Sequence, residues 1–316
     1  MTNAKTKVGV LYGGTSNERE VSLASGKVVL EQLPPDRFEV TGIEIAADGS
    51  WQIPLKDCKQ FEVIFIALHG GDGEGGKVQA QLDSINVPYT GSDARASARA
   101  LDKIESTRIA TETGLAVPKE LTLAKPTTAH DEIISFGLPA VLKPTNGGSS
   151  VGVSIVTQPD QIEAAVATAY DENSTVLVQE YITGRELTCG VLGNHSSELT
   201  ALPPVEIIAA SGFFNYHAKY QAADTQELCP APLTDTQTAE LQRQAVAIHR
   251  ALGCDGLTRS DFIMDKGGAM YYLETNTIPG MTPTSLCPKE AIAAGLSLAE
   301  LFTRQIDLAL ERAAAS

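Results

Sequence analysis

The sequence predicts a fold of mixed class, α/β at its N-terminal end and α+β over the rest. Short apolar runs alternate with segments of helical spacing over residues 8–90, which is the pattern of a doubly wound parallel sheet. After residue 114, strands follow one another across turn-forming residues, which indicates small antiparallel sheets with helices on one side. A chain of 316 residues is long enough for two or three domains.

The N-terminal unit begins with a strand over Val8–Tyr12 that enters the turn Gly13-Gly14. A helix is expected over Glu20–Leu33, because Pro34-Pro35 cannot continue it. The run Phe61–Leu68 is almost wholly apolar and is therefore expected at the centre of the sheet. Further expected elements are strands at 38–45 and 87–90 and a helix at 94–113 followed by the capping residue Gly114.

The remainder of the chain is expected to hold the antiparallel sheets. Its elements are strands at 140–144, 153–156, 175–182 and 186–192 and helices at 158–170, 234–252 and 296–312. Thr234 and Gln237 have the spacing of a capping box, which predicts the start of the second of these helices. The breaks divide the chain into an N-terminal α/β substrate domain (1–98), a central unit (99–184) and a C-terminal unit (185–316).

Composition limits the class of protein. The formal net charge of −15 argues against general binding to nucleic acid or to an anionic membrane. The five cysteines are scattered, with no Cys-x-x-Cys spacing, which fits reduced thiols in the cytoplasm. The N-terminus lacks a secretory apolar region, and no apolar stretch is long enough to span a membrane. We therefore expect a cytoplasmic protein that binds neither nucleic acid nor membrane.

Two strands near the C-terminus are joined by Gly267-Gly268, a two-residue hairpin signal. If these glycines form the loop, Lys266 pairs with Ala269. The same register then places Asp261 opposite Glu274, with both side chains on one face of the sheet.

The hairpin also places Arg259 opposite Asn276, on the face that carries Asp261 and Glu274. Like charges directly opposite destabilise a sheet, so a cation is expected between the two carboxylates. Carboxylate and amide oxygens suit Mg²⁺, which proteins usually bind together with substrate phosphates. In the alternative interpretation the register is slipped and one carboxylate faces solvent.

A glycine-serine loop after Lys143 could bind an anion. The loop, Gly147-Gly148-Ser149-Ser150, exposes backbone N–H groups and hydroxyls, and the Lys143 ammonium could reach an anion above it. The order Gly-Lys-Ser/Thr of a P-loop is absent. The alternative is a flexible hairpin loop without a ligand.

Two further glycine-rich turns follow N-terminal strands, where α/β folds bind ligands. Glu18 and Glu20 lie just after Gly13-Gly14, although acids at the start of a helix also act as simple capping groups. His69 opens the second turn, which extends to Gly76 and permits close backbone approach to a ligand. The alternative for this second turn is a plain mobile loop.

These segments together resemble the D-alanine–D-alanine ligase family of the ATP-grasp superfamily. The resemblance keeps the family's order over nearly the whole chain and rests on residues 13–23, 67–70, 89–92, 101–103, 143–152, 218–220, 259–261 and 274–286. It implies an ATP-grasp fold with an N-terminal Rossmann-like domain. It also implies that ATP and two Mg²⁺ ions, for which Mn²⁺ can substitute, support condensation of two D-alanines in a homodimer. The product, D-alanyl-D-alanine, enters peptidoglycan precursors.

The resemblance assigns roles toward the amino-acid substrates. Six positions match residues that contact them in the family: Glu18 and His69 at the ammonium end of the first D-alanine, Arg259 and the Gly280 N–H at the oxyanion, and Ser285 and Leu286 at the carboxylate of the second D-alanine. Ser149, Tyr220 and Glu18 match a hydrogen-bonded set that positions a mobile loop. The glycine-started aromatic segment 211–220 is a candidate for that loop, with a plain surface hairpin as the alternative.

The resemblance also assigns the nucleotide and metal contacts. Positions matched to ATP are Lys103 and Lys143 (α- and β-phosphates), Lys219 (γ-phosphate), Ser149 and Ser150 (loop), Gln179, Glu180, Tyr181 and Ile182 (adenine), Glu186 (ribose) and Asn276. Positions matched to the metals are Asp261, Glu274 and Asn276. Relatives often carry Glu-Lys and an aromatic where this chain has Gln179-Glu180-Tyr181, but the Gln179 amide oxygen can still accept from an adenine amino group.

Two alternatives to a D-alanine–D-alanine ligase remain at this stage. A D-alanine–D-lactate ligase would use a hydroxy acid as the nucleophile, but lactate-using relatives resemble one another in lacking the tyrosine found here at position 220. A non-catalytic ATP-binding regulatory module should have lost metal or oxyanion groups, whereas Arg259, Asp261, Glu274 and Asn276 are all present.

Overall fold

The computed structural model describes residues 4–124, 129–148, 151–208 and 225–315. The strands of these ranges are β1 (Thr6–Gly13), β2 (Phe38–Ile45), β3 (Val63–Ile66), β4 (Glu120–Leu123), β5 (Ala140–Pro144), β6 (Ser154–Val156), β7 (Val176–Glu180), β8 (Gly184–Leu192), β9 (Thr200–Ala201), β10 (Val205–Ile208), β11 (Gln226–Leu228), β12 (Leu257–Asp265) and β13 (Met270–Asn276). The α-helices are α1 (Arg19–Gln32), α2 (Gly71–Glu74), α3 (Lys77–Asp83), α4 (Ala94–Leu101), α5 (Lys103–Glu112), α6 (Ala129–Phe136), α7 (Ile162–Glu172), α8 (Asp235–Leu252), α9 (Leu286–Ala293) and α10 (Leu298–Ala315).

The N-terminal sheet is parallel, with strand order β2-β1-β3 and helices on both faces, as expected of a doubly wound unit. Helices α1 and α10 cover one face, where Phe65 meets Phe302 edge to face with ring centroids 5.7 Å apart. Helix α3 covers the other face. The expected strand at 87–90 is reduced to one bridge between Tyr89 and Ile64.

The expected helix at 94–113 is divided in two at Asp102. The backbone of Asp102 is extended, and its side chain accepts hydrogen bonds from the N–H groups of Ile104 and Glu105, so it caps a new helix, α5. A helix N-terminus with a capping aspartate is stable in its own right. The break places Lys103 in the first turn of α5, where its N–H donates to the Thr145 carbonyl beside the glycine-serine loop.

The central sheet is antiparallel, with strand order β4-β7-β5-β6. Helices α6 and α7 pack against it through a core of buried aliphatic side chains, among them Ile133, Leu142 and Val178. The expected strand at 140–144 is confirmed, and the expected helix at 158–170 forms as a short 3₁₀ turn, Pro159–Gln161, followed by α7.

The C-terminal sheet has strand order β11-β10-β8-β12-β13, with β9 paired to β8. Helix α8 packs on it and begins with the expected capping box, in which Thr234 and Gln237 exchange side-chain to backbone hydrogen bonds. Gly253 ends α8 with a φ of 78°, a conformation that favours glycine. Helices α4 and α5 also pack against this sheet.

The loop of the β12–β13 hairpin differs from the expected one. It has three residues, Lys266–Gly268, because Asp265 and not Lys266 donates its N–H to the Ala269 carbonyl. The Asp265 carboxylate accepts hydrogen bonds from the N–H groups of Gly267 and Ala269 and so stabilises this wider loop. The predicted pairing of Lys266 with Ala269 is therefore wrong.

A β-bulge restores the expected register farther from the loop. Phe262 pairs with Tyr272 and Asp261 with Glu274, so Leu273 is the extra residue. Asp261 consequently faces Glu274, and the next pair on that face is Arg259 with Asn276, as the sequence predicted. No helix within the described ranges is both long and apolar enough to cross a membrane.

Candidate active site

Two adjoining cavities lie where the three sheets meet. The first has a volume of about 440 Å³ and lies between the central and C-terminal sheets. The second has a volume of about 390 Å³ and lies between the N-terminal and C-terminal sheets. Both are lined by Lys103, Gly147, Gly148 and Glu274, so the two cavities meet at these residues.

The first cavity contains the described residues that the resemblance assigned to ATP, apart from Asn276. These residues are Lys103, Lys143, Gln179, Glu180, Tyr181, Ile182 and Glu186. Aliphatic side chains of Val141, Ile263 and Leu273 complete walls that suit a flat ring. Gln179 is buried, and its amide nitrogen donates to Glu120 at 3.0 Å, so the amide oxygen keeps its acceptor capacity for an amino group.

Two lysines converge where the cavities meet. Lys103 Nζ donates to the Gly147 carbonyl at 2.7 Å and lies 3.4 Å from a Glu274 carboxylate oxygen. Lys143 is buried, and burial, reinforced by the nearby charge of Lys103, lowers its pKa to about 8. Two ammonium groups held this close are stabilised by an anion between them, so the pair is suited to phosphate.

The second cavity contains the described residues assigned to the amino acids. They are Glu18, His69, Arg259, Gly280, Ser285 and Leu286, together with Asn276. A Cβ atom built on Gly280 would lie 2.6 Å from Ser285 Oγ, so a larger residue at position 280 would displace the Ser285 side chain. Ser285 is the N-cap of α9 but its side chain does not cap the helix. Because Ser285 and Leu286 both line the cavity, the N-terminus of α9 lies at its wall, where it favours a carboxylate.

His69 is a structural part of the wall. Its Nδ1 donates to the Ile278 carbonyl at 2.8 Å, and its Nε2 lies 2.8 Å from Ser25 Oγ. Burial lowers the pKa of His69, so the ring is neutral and Nε2 accepts from the Ser25 hydroxyl. Ser25 Oγ in turn accepts from the Met281 N–H at 3.2 Å. Both ring nitrogens are thus already bonded, and a direct contact with a substrate ammonium would break one of these bonds.

Sequence reasoning did not identify Glu74, the last residue of α2, as a site residue. Its side chain is buried in the wall of the second cavity. Burial, reinforced by the charge of Glu18, raises the pKa of Glu74 to about 8. The available signal was an acid within the glycine-rich turn that follows His69.

The carboxylates of the hairpin are compensated by protein cations. Asp261 accepts from Arg259 Nε at 2.8 Å and Nη2 at 2.9 Å, and also from Thr188 Oγ1 at 2.7 Å. Glu274 lies beside Lys103. The cation that the sequence argument required between Asp261 and Glu274 is therefore supplied at least in part by Arg259 and Lys103.

The donor set of the hairpin fits a metal that arrives with phosphate. Within the described ranges, no group of three or more His, Cys, Asp or Glu side chains is arranged to hold a metal by itself. Asp261, Glu274 and Asn276 offer hard oxygen donors on one face of two adjacent strands, and Mg²⁺ commonly completes such a set with phosphate oxygens and water. Ser149, Ser150, Lys219 and Tyr220 lie outside the described residues.

Comparison with known proteins gives one family, whose two models match most of the chain. The family described as D-ala D-ala ligase C-terminus matches residues 109–307, and the one described as D-ala D-ala ligase N-terminus matches residues 7–60 and 52–92. The D-alanine–D-alanine ligase of Syntrophobacter fumaroxidans is 42% identical over 315 residues, covering 98% of this chain and 100% of the relative. That of Bordetella avium is 42% identical over 301 residues, covering 95% and 94%.

Solved structures give the same result. The VanG D-Ala:D-Ser ligase of Enterococcus faecalis superposes with a TM-score of 0.88 at 30% identity, covering 96% of this chain and 99% of that one. The D-alanine–D-alanine ligase of Bacillus anthracis complexed with ATP gives a TM-score of 0.84 at 31% identity, covering 99% of each chain. With its two cavities, its sheet topology and these full-length matches, the chain belongs to the D-alanine–D-alanine ligase family of ATP-grasp enzymes.

Proposed function

We propose that this protein joins two D-alanines to D-alanyl-D-alanine with cleavage of ATP to ADP and phosphate, for peptidoglycan precursor synthesis. The observation that carries the proposal is the meeting of the two cavities at Lys103, Gly147, Gly148 and Glu274. A nucleotide in the first cavity would place its terminal phosphate beside an amino acid in the second. That arrangement suits phosphoryl transfer to a carboxylate, in which positioning and charge cancellation matter most.

In the first step the carboxylate of one D-alanine attacks the γ-phosphorus, which gives an acyl-phosphate and ADP. Glu18 receives the substrate ammonium, and Glu74 adds a second acidic group to the same cavity. His69 orients this wall through its bonds to Ile278 and Ser25. Lys103 and Lys143 cancel phosphate charge from the side of the first cavity.

In the second step the amine of the other D-alanine attacks the acyl carbon, and phosphate leaves. The tetrahedral adduct bears an oxyanion, for which Arg259 and the Gly280 N–H are suited donors. The second carboxylate is received by Ser285 and the N-terminus of α9, where Leu286 supplies the first helical N–H. Water must be kept out during this interval, or the acyl-phosphate hydrolyses.

Asp261, Glu274 and Asn276 would hold the two Mg²⁺ ions, or Mn²⁺ in their place. Bound metal supplies positive charge at the phosphates during transfer. The protein also supplies positive charge here, because Arg259 forms an ion pair with Asp261 and Lys103 forms one with Glu274. Asn276 is held by a hydrogen bond from the Ile278 N–H to its side-chain oxygen at 2.8 Å.

We assign closure of the site to the segment that carries Lys219 and Tyr220, which a hydrogen-bonded set of Ser149, Tyr220 and Glu18 would position. This role follows from the family resemblance of these positions. We also assign the protein to the cytoplasm as a homodimer, with domain boundaries near residues 98 and 184.

A second candidate differs only in the second substrate. One solved structure similar to this chain is a D-Ala:D-Ser ligase, and the sequence argument left D-lactate open as an alternative nucleophile. Both alternatives keep the first step and change the acceptor. The choice of acceptor is therefore a separate measurement from ATP use.

The test is phosphate release with purified protein, ATP and Mg²⁺, combined with mass spectrometry of the product. D-Alanine alone should stimulate phosphate release and give D-alanyl-D-alanine, whereas L-alanine should not. Mixtures of D-alanine with D-serine or D-lactate report the acceptor. Absence of D-alanine-stimulated ATP turnover would refute the proposed ligase and favour a non-catalytic ATP-binding module.

A further inference from the structure

Glu290 is a completely buried carboxyl group in the middle of α9. It is 0% exposed, and within the described part of the chain neither of its oxygens has a hydrogen-bond partner of good geometry. Isolated burial of a carboxyl group is costly, and such groups are normally paired with a charge. The steps of the proposed mechanism do not use Glu290. Its position therefore requires an explanation.

Glu290 lies on the side of the C-terminal sheet that carries Arg259, although the two side chains form no ion pair within 4.0 Å and the guanidinium is paired with Asp261. Gly190 of β8 is the direct partner of Arg259 in the antiparallel pair β8–β12, and side chains of directly opposed residues lie on the same face of a sheet. A Cβ atom built on Gly190 would lie 2.4 Å from a Glu290 carboxylate oxygen. The Glu290 carboxyl thus occupies the space above Gly190, next to the Arg259 side chain.

Gly190 is the residue that makes this arrangement sterically feasible. The same built Cβ would lie 2.9 Å from Leu202 and 3.4 Å from the Cys287 thiol. Any larger side chain at position 190 would displace the carboxyl group from its place over β8. The lack of a side chain at position 190 therefore leaves space on the sheet next to Arg259, and the Glu290 carboxyl group occupies that space.

Among the charges near Glu290, that of Arg259 favours the ionised carboxylate. Burial raises the pKa of Glu290 to about 7, and among the neighbours that oppose this rise the guanidinium of Arg259 has the largest effect. The Cys287 thiol and the Gly190 N–H act in the same direction, and Asp261 acts against them. Arg259 is thus the counter-charge of Glu290, approached from the helix above the sheet.

We propose that Glu290 is a positioning residue, a second carboxylate whose charge attracts the Arg259 guanidinium from the side of α9 without a direct ion pair. The proposal rests on the proposed function, in which Arg259 stabilises the oxyanion. Asp261 uses Nε and Nη2 of Arg259, but in that function Asp261 also serves the metal. Glu290 does not line the nucleotide cavity, so its carboxylate, where ionised, would not be shared with a metal.

A fixed guanidinium matters because an oxyanion donor acts only when it is already aimed at the developing charge. Loss of Glu290 should therefore lower the rate of the chemical steps and leave nucleotide binding almost unchanged. A residue that merely fills space above Gly190 would instead change thermal stability and leave kcat of the folded protein unchanged.

The test compares Glu290→Gln, which preserves shape and removes the charge, with Glu163→Gln, an exposed substitution on α7 that removes the same charge far from the site. Glu290→Gln should lower kcat at least tenfold at pH 8, with KM for ATP within twofold of wild type and Tm equal or higher. Glu163→Gln should change none of these. If the Glu290→Gln protein does not fold, Glu290→Ala removes the same charge, and α9 already has an alanine at the next position.

A second readout does not depend on activity. The Arg259 Nε–H, assigned in nitrogen-15 spectra by its loss in Arg259→Lys, should exchange with solvent at least fivefold faster in Glu290→Gln than in wild type. Unchanged exchange would overturn the positioning role of Glu290, and unchanged kcat in a folded Glu290→Gln protein would overturn its part in the reaction. A wild-type protein without D-alanine-stimulated turnover would instead refute the proposed function, and the exchange rate would still decide whether Glu290 holds Arg259.

Discussion

At the scale of single residues, the site is defined by charged groups held in unusual surroundings. Lys143 and Glu74 are both buried, and burial shifts the pKa of each toward 8 from opposite sides. Groups with such shifts gather where a ligand of opposite charge is to be received. A phosphate would restore the charge of the lysine, and an ammonium would do the same for the carboxylate.

Nucleotide binding should therefore take up a proton at alkaline pH. Burial lowers the pKa of Lys143 to about 8, so at pH 8.5 most of the free protein carries a neutral lysine, which a bound phosphate would recharge. Calorimetric titration with ADP in two buffers of different ionisation enthalpy measures this uptake. Lys143→Arg serves as the control, because arginine is charged at this pH with or without nucleotide. Proton uptake should therefore disappear in this variant. Equal uptake in both proteins would contradict the assignment.

Burial of Glu74 should lower the free energy of unfolding as pH rises. Its pKa is raised from 4.5 in the unfolded chain to about 8, so between these values the folded state binds more protons and stability falls with increasing pH. Glu74→Gln removes this loss, and the Tm of the variant relative to wild type should increase from pH 5 to pH 8. Glu20→Gln, an exposed acid at the same cavity, should show no such trend. A constant Tm difference would mean that Glu74 is not buried as described.

At the scale of elements, local breaks in regular structure position the functional groups. The cap at Asp102 interrupts a helix and directs Lys103 to the phosphate region. The bulge at Leu273 brings Asp261 and Glu274 into opposition. Each break departs from the regular repeat at the point where the site needs a side chain.

Asp102→Ala should affect both stability and nucleotide use. The substitution removes two hydrogen bonds at the start of α5, and loss of such a cap costs about 1 kcal/mol. Because Lys103 follows directly, KM for ATP should rise by more than the small loss of stability explains. Asp93→Ala removes the analogous cap of α4 and should lower Tm to a similar extent without changing KM. Equal KM values in the two variants would contradict the positioning role of Asp102.

Much of this element-scale structure was predictable, because strand alternation and capping boxes are local signals. The strand at 38–45 and the capping box at Thr234 are confirmed. The break at Asp102 was missed, since helical spacing continues across it. The hairpin register was right at Asp261 although its loop was wrong, because the longer loop and the bulge cancel.

At the scale of the whole molecule, function depends on contacts between residues far apart in sequence. Lys103 of α5 meets Glu274 of β13 and Gly147 of the glycine-serine loop. Periodicity carries no information about such meetings, and the family resemblance supplied the roles of these residues. The buried acids Glu74 and Glu290 escaped sequence reasoning because their surroundings arise only when distant elements pack together.

Glu274→Gln tests the metal assignment. The charge of Glu274 is compensated by Lys103 in this structure, so its removal should change Tm by only a few degrees. Turnover should fall by at least about 10²-fold at limiting Mg²⁺, with partial recovery at high Mg²⁺. Glu311→Gln serves as the control, since it removes only an exposed ion pair with Arg304 outside the site. Near-normal activity of Glu274→Gln at limiting Mg²⁺ would exclude its role as a metal ligand.

In the proposed reaction, an amino acid in the second cavity is phosphorylated by a nucleotide in the first. The most direct test uses D-alanine labelled with oxygen-18 in its carboxylate and measures the label in the released phosphate by mass spectrometry. An acyl-phosphate transfers one carboxylate oxygen to phosphorus, so each phosphate formed with D-alanyl-D-alanine should carry one oxygen-18 atom. Unlabelled phosphate would show that ATP is cleaved without activation of the carboxylate and would contradict the proposed acyl-phosphate.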